Sequence, residues 1–172
     1  MMKIAFKIIT CFCFTLFIAC DVPEFDFNEF GDADPPALLF DPFLKKVPSG
    51  TSSWVDIEAL QINGAAGIHI KMEYDPKYVS IEDVVAGEFF KNANQPLIIV
   101  EDEGSYLDIY TVFLPEGVTQ SVNGSGVVVS VEFKTLKKGK SKLIISDESR
   151  VVDAGNSGIL MNTFGYFIID AR

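Results

Sequence analysis

The feature that most constrains this chain is a two-residue alternation of apolar and polar side chains, recurring from residue 54 onward. In GIHIKMEY, residues 67–74, Ile68, Ile70, Met72 and Tyr74 fall on one side and His69, Lys71 and Glu73 on the other. Successive side chains of a β-strand point to opposite faces, so this period belongs to strands with one buried face. GVVVSVEFKT sends Val127, Val129, Val131 and Phe133 inward, with Val128, Ser130, Glu132 and Lys134 outward. WVDIEA turns Val55, Ile57 and Ala59 in and Trp54, Asp56 and Glu58 out. YLDIYTVF turns Leu107, Ile109, Thr111 and Phe113 in and Tyr106, Asp108, Tyr110 and Val112 out. Further strands are predicted near residues 38–40, 78–84, 97–101, 142–146 and 166–169. VPSG, NGAAG, YDPK, DEGS, NGSG, KKGK and DAGNSG read as the turns between them. About nine short, half-buried strands predict an all-β fold, a single antiparallel β-sandwich.

Composition removes several classes of function. The formal charge of −10 argues against a nucleic-acid partner, because phosphate binding relies on clustered Lys and Arg. There is one histidine, His69, where metal centres and acid–base sites use several. An outward His with no Cys or second His nearby reads as a solvated side chain. The three cysteines, Cys11, Cys13 and Cys20, all precede the alternating region, so no disulfide framework or Cys-rich zinc site is expected there. SDESRVVDAGNSG gathers Asp147, Glu148 and Asp153 near Asn156, but lacks the EF-hand spacing and reads as a turn with solvated acids. No Gly-x-Ser-x-Gly elbow is present. No catalytic residue, metal or cofactor is expected, and calcium has no support.

The N-terminus reads as an address. Lys3 and Lys7 precede a twelve-residue apolar run, IITCFCFTLFIA, shorter than the roughly 20 residues of a membrane span. Phe17-Ile18-Ala19-Cys20 resembles the lipobox of bacterial lipoproteins, with Phe17 where Leu is commoner. That resemblance implies cleavage before Cys20, diacylglycerol on its sulfur and acylation of the new amino group, enough chains for stable attachment. The alternative is an ordinary signal peptide with an incidental cysteine. Residues 1–19 are thus expected to be a lipoprotein signal peptide and 20–36 a lipidated, acidic tether. Loss of Lys3 and Lys7 takes the formal charge from −10 to −12. From Asp21 to Pro36 there are six acids and no base, which favours an extended spacer. Phe25, Phe27 and Phe30 either ride in that spacer or pack back on the domain. The expected location is the bacterial envelope, with inner and outer membrane both open.

At AGIHIKMEYDPKYVSIEDVVAGEFF the chain resembles the cohesin family, whose third strand ends in Tyr-Asp-Pro before a short turn and a Val-x-Ile/Val strand. PALLFDP…VPSGTSSWVDIEALQINGAAG upstream and GVVVSVEFKTLKKGKSKLIISDESRVVDAGNSGI downstream are similar to that family's opening and closing strands. Pro76 ends ladder donation and Asp75 can accept from turn amides, so Tyr74-Asp75-Pro76 is a strand terminator. The resemblance implies a jelly-roll sandwich over residues 37–172 and a non-catalytic recognition module. Its partner would be a dockerin-like protein module or a polysaccharide, with a link to polysaccharide breakdown. By strand order, the family's docking sheet (strands eight, three, six and five) would here present His69, Lys71 and Glu73, then Tyr106, Asp108, Tyr110 and Val112, with Lys142 and Ile144 beside them. Tyr106 and Tyr110 suit either a sugar ring or a protein anchor, or serve only cross-strand packing. Trp54 is assigned to the opposite sheet, covered by the tether or facing a ligand. The alternative function is a structural, assembly-supporting protein of the envelope. If Cys20 carries lipid, labelling with a palmitate analogue is expected to vanish in Cys20→Ala; label retained in that variant would remove the anchor.

Overall fold

The computed structural model describes residues 33–90, 97–114 and 120–172. The expected signal peptide, Cys20, Phe25, Phe27, Phe30 and the tether as far as residue 32 lie outside them. Thirteen strand segments follow in order: β1 (Ala37–Asp41), β2 (Leu44–Val47), β3 (Ser52–Ala65), β4 (Gly67–Tyr74), β5 (Val79–Ala86) and β6 (Leu97–Asp102). Then come β7 (Tyr106–Val112), β8 (Val122–Thr135), β9 (Gly139–Ile145), β10 (Arg150–Val152), β11 (Gly158–Ile159), β12 (Thr163–Phe164) and β13 (Tyr166–Ala171). One sheet runs β12-β1-β3-β8-β5. The other is centred on β4, with β7 and then β6 on one side; on the other side β9 is continued by β13 and β2, and β10 by β11.

The expected sandwich is present, and its inward residues are those of the alternation. Ile68, Ile70 and Met72 of β4, Leu107 and Ile109 of β7 and Val55 and Ile57 of β3 are at most 3% exposed. Phe133 and Phe40 meet Phe167 between the sheets at ring-centroid distances of 5.4 and 5.9 Å, each ring burying a large apolar area. Phe89 and Phe90, just after β5, plug one end of the layer, Phe90 lying 5.9 Å from Phe113. Gly87 leads into that plug, and a Cβ there would stand 2.2 Å from the Val127 carbonyl oxygen, so only glycine fits.

Three local expectations are corrected. NGAAG and NGSG lie largely inside strands, because β3 and β8 are long, bent partners whose bulges absorb the irregularity. One bulge sits between Ile57 and Glu58, opposite Val129 and Val127; it leaves Val128 over and buries it at 2% exposure, where strict alternation placed it outward. The sheets are also mixed. β1 runs parallel to β12 and β2 parallel to β13, because the two ends of the domain travel side by side and change sheets together. The first change falls at Pro42-Phe43, between β1 and β2. The second falls at Gly165, whose N–H donates to Leu38 and whose carbonyl accepts from Ile145. Period-two parity assigns faces and says nothing about strand direction.

Thr111, on the inward face of β7, is fully buried, and its Oγ1 has no hydrogen-bond partner. An orphaned buried hydroxyl costs its desolvation without recompense. Thr111→Val is therefore expected to stabilise the domain by about 1 kcal/mol in urea unfolding; a comparable loss of stability would show that the hydroxyl is satisfied.

Candidate recognition face

The outward side chains of β4 alternate with its core residues, so burying Ile68, Ile70 and Met72 forces His69, Lys71 and Glu73 onto one surface. Strand pairing then lines up four rows across the sheet. Val112 of β7 pairs with Gly67 of β4 and with Leu97 of β6. In the next row Tyr110 stands between His69 and Ile99, with Arg150 of β10 beyond His69. Asp108 follows, between Lys71 and Glu101. Last, Glu73 stands between Tyr106 and Ile144, and Ile144 pairs with Tyr166 of β13. All the residues expected from the sequence on β4, β7 and β9 share this face, which grades from apolar at Leu97 and Val112 to charged at Lys71 and Glu101.

The polar members hold one another in place. His69 is not the solvated side chain expected: it is part-buried, its imidazole Nε2 lies 2.6 Å from Asp108 Oδ1, and its ring stacks on Tyr110 with centroids 4.5 Å apart and planes 8° from parallel. Desolvation, then the Asp108 and Glu101 carboxylates, push the Tyr110 phenol above its ordinary pKa. Lys71 Nζ donates to Glu148 at 2.7 Å and sits 4.8 Å over the Tyr106 ring. That hydrogen bond is the main cause of a raised Lys71 pKa. At Lys71 the neighbour of β4 changes from β9 to β10. The gap is closed by Ser146, whose N–H donates to the Lys71 carbonyl, and by the buried Ser149, whose Oγ accepts from the Lys71 N–H. Lys71, Glu73, Tyr74, Tyr106, Lys140 and Lys142 border an open groove of about 640 Å³ at the charged end.

Leu97 and Ile99, each 48% exposed, are members that parity did not identify. LIIV has no alternation to read. The usable signal was the short connection Glu103–Ser105, which closes a hairpin and so fixes Ile99 opposite Tyr110. Tyr166, also 48% exposed, was missed for a similar reason. Trp54, 40% exposed, lies on the opposite sheet with Asp56 and Glu58, as strand order indicated. Burial, then Asp41 and Asp56, raise the Glu58 pKa. Asp75 is absorbed in its turn, its Oδ1 accepting from the Lys77 N–H and its carbonyl from Tyr78 and Val79. Asp153 likewise accepts from the N–H groups of Gly155 and Ser157. Among the described residues no group of three or more His, Cys, Asp or Glu is placed to hold a metal ion.

Tyr74, the last residue of β4, donates its hydroxyl to Asp102 Oδ1 at 2.8 Å and ties β4 to the edge strand β6. Burial, then that hydrogen bond and the Asp102 charge, push its phenol up to about 12 from 10.0. Because the folded value is the higher one, the contribution to stability is complete below about pH 10 and disappears as pH rises through about 12. An alkaline absorbance titration is expected to show its last-ionising tyrosine near pH 12 and to lose that step in Tyr74→Phe, while Tyr110→Phe keeps it; a step near pH 12 surviving in Tyr74→Phe would contradict this.

Comparison with known proteins places this surface in context. No curated protein matches the chain in sequence. Solved structures share its fold. A non-cellulosomal cohesin from the archaeon Archaeoglobus fulgidus superimposes with a TM-score of 0.62 at 17% identity, covering 78% of this chain and 91% of that one. The sixth cohesin of scaffoldin B from Acetivibrio cellulolyticus, solved with a dockerin, gives 0.63 at 16%, covering 79% and 98%. A type I cohesin–dockerin complex from Clostridium thermocellum gives 0.64 at 16%, covering 81% and 97%. The family model for the cohesin domain matches residues 50–164, from the turn before β3 to the end of β12, and so takes in all the strands of the face described above except β13. By that match the chain belongs to the cohesin domain family.

Proposed function

We propose that this chain is a non-catalytic recognition module that docks a dockerin-type protein module on the β6-β7-β4-β9 face. The observation that carries this is the pairing of exposed apolar side chains, Leu97 with Val112 and Ile99 with Tyr110, on a rigid sheet beside ordered charges. An exposed apolar patch bordered by ordered polar groups suits a protein interface, where buried aromatic anchors supply most of the affinity. Tyr110 is such an anchor, held by His69 and Asp108 before any partner arrives, so little rotamer entropy is lost on docking. The two cohesin structures solved with dockerins support the class of partner.

A polysaccharide is the weaker partner for this geometry. Leu97, Ile99 and Val112 present branched aliphatic surface where a sugar ring is better met by flat aromatic rings, and the Tyr106 ring already carries Lys71. For location, the lipobox-like FIAC sequence supports a lipid anchor at Cys20 on the bacterial envelope. The acidic tether would then hold the domain away from anionic headgroups.

In pull-down and calorimetry against a panel of calcium-loaded dockerins, one member is expected to be retained. Tyr110→Ala and Val112→Ala should each weaken it at least about fivefold, while Trp54→Ala on the far sheet leaves it unchanged. Retention of a glucan with no dockerin bound would overturn the proposal, as would loss of dockerin binding in Trp54→Ala alone.

A further inference from the structure

An exposed sheet edge offers unpaired N–H and C=O groups to any other strand, and folded domains usually blunt it. Most free edges among the described residues carry such a device. β11 and β12 are two residues long, β2 is four residues with Lys45 and Lys46, and β5 has a bulge with Glu82 and Asp83. β6 is different. It pairs only with β7, in unbroken register, and its first four residues, Leu97-Ile98-Ile99-Val100, contain no charge, proline or bulge. Leu97, Ile99 and Val100 are each 40% exposed or more, so apolar surface is open on both faces of the edge.

The geometry points to a second copy of this chain as the strand that pairs with β6, antiparallel, about a two-fold axis through Ile99. In that register Ile99 faces Ile99, Ile98 faces Val100 at both ends of the core, and Leu97 faces Glu101. Every central pair is apolar and no carboxylate faces another. Parallel pairing in register would set Glu101 beside Glu101 and Asp102 beside Asp102, which a chain of formal charge −10 tolerates poorly. Sliding the antiparallel register by one residue per copy toward the C-terminus puts Ile99 against Glu101, and toward the N-terminus it sets Val100 against Pro96, which has no N–H to give the ladder. The self-complementary register also joins the Leu97, Ile99, Tyr110 and Val112 cluster of one copy to that of the other. Six residues a side bury less than the roughly 1,600 Å² of a standard interface, so the dimer should be weak and concentration-dependent. This inference is independent of the dockerin reading and stands or falls separately.

The test is cysteine cross-linking in the full-length chain with Cys11, Cys13 and Cys20 replaced by Ser. Directly opposed residues have Cα atoms about 4.5–5.5 Å apart, within disulfide reach. Ile99→Cys is therefore expected to give a linked dimer on mild oxidation, at several-fold higher yield than Leu97→Cys or Val100→Cys. Sedimentation equilibrium should show reversible dimerisation that Ile99→Lys abolishes by setting two ammonium groups face to face. A monomer at every concentration, equal cross-linking at the three positions, or a dimer indifferent to Ile99→Lys would overturn the inference.

Discussion

The structure depends on the central place of β4. This strand is bonded to β7 on one side and to β9 and β10 on the other, so its backbone is fixed from both directions. Ile70 and Met72 are fully buried, and a slip of one residue would drive them into water and His69 and Lys71 into the core. Removing such side chains from the core costs several kcal/mol each, which makes the register secure. The position of the outward residues is thus set by the core, and the proposed recognition face is rigid because the hydrophobic layer beneath it is.

That rigidity bears on function through entropy. Asp108, His69 and Tyr110 form one supported line, and Glu148, Lys71 and Tyr106 a second. Side chains already held in one geometry lose little freedom when a partner docks, whereas mobile lysines and glutamates would resist it. In the proposed docking the charged groups would act mainly as orientation and as a barrier to wrong partners. Affinity would then be left to the apolar patch of Leu97, Ile99, Tyr110 and Val112. The free edge of β6 borders that same patch, so self-pairing and partner docking would share neighbouring surface while using different groups, backbone in one case and side chains in the other.

Much of this was legible in the sequence wherever one face is buried and the other wet. Alternation assigned the inward and outward residues of β4 and β7 correctly, and with strand order it gathered His69, Lys71, Glu73, Tyr106, Asp108 and Tyr110 on one sheet. It failed where that asymmetry fails. Val128 is buried through a bulge, which parity cannot represent. β10, β11 and β12 are two or three residues long and show no period. LIIV of β6 shows no alternation and lies at an exposed edge, and so Leu97 and Ile99 were missed while Tyr110 and Val112 were found. Parallel pairing of the chain ends is a property of topology, set by where the chain changes sheets, and side-chain patterns leave it open.

Amide hydrogen exchange of the chain alone and with a retained calcium-loaded dockerin tests the central claim most directly. The account expects added protection on β6, β7, β4 and β9, strongest around Ile99 and Tyr110, with exchange at Trp54 and along the outward face of β3 unchanged. Protection confined to β3, β8 and β5, or spread equally over both sheets, would contradict it.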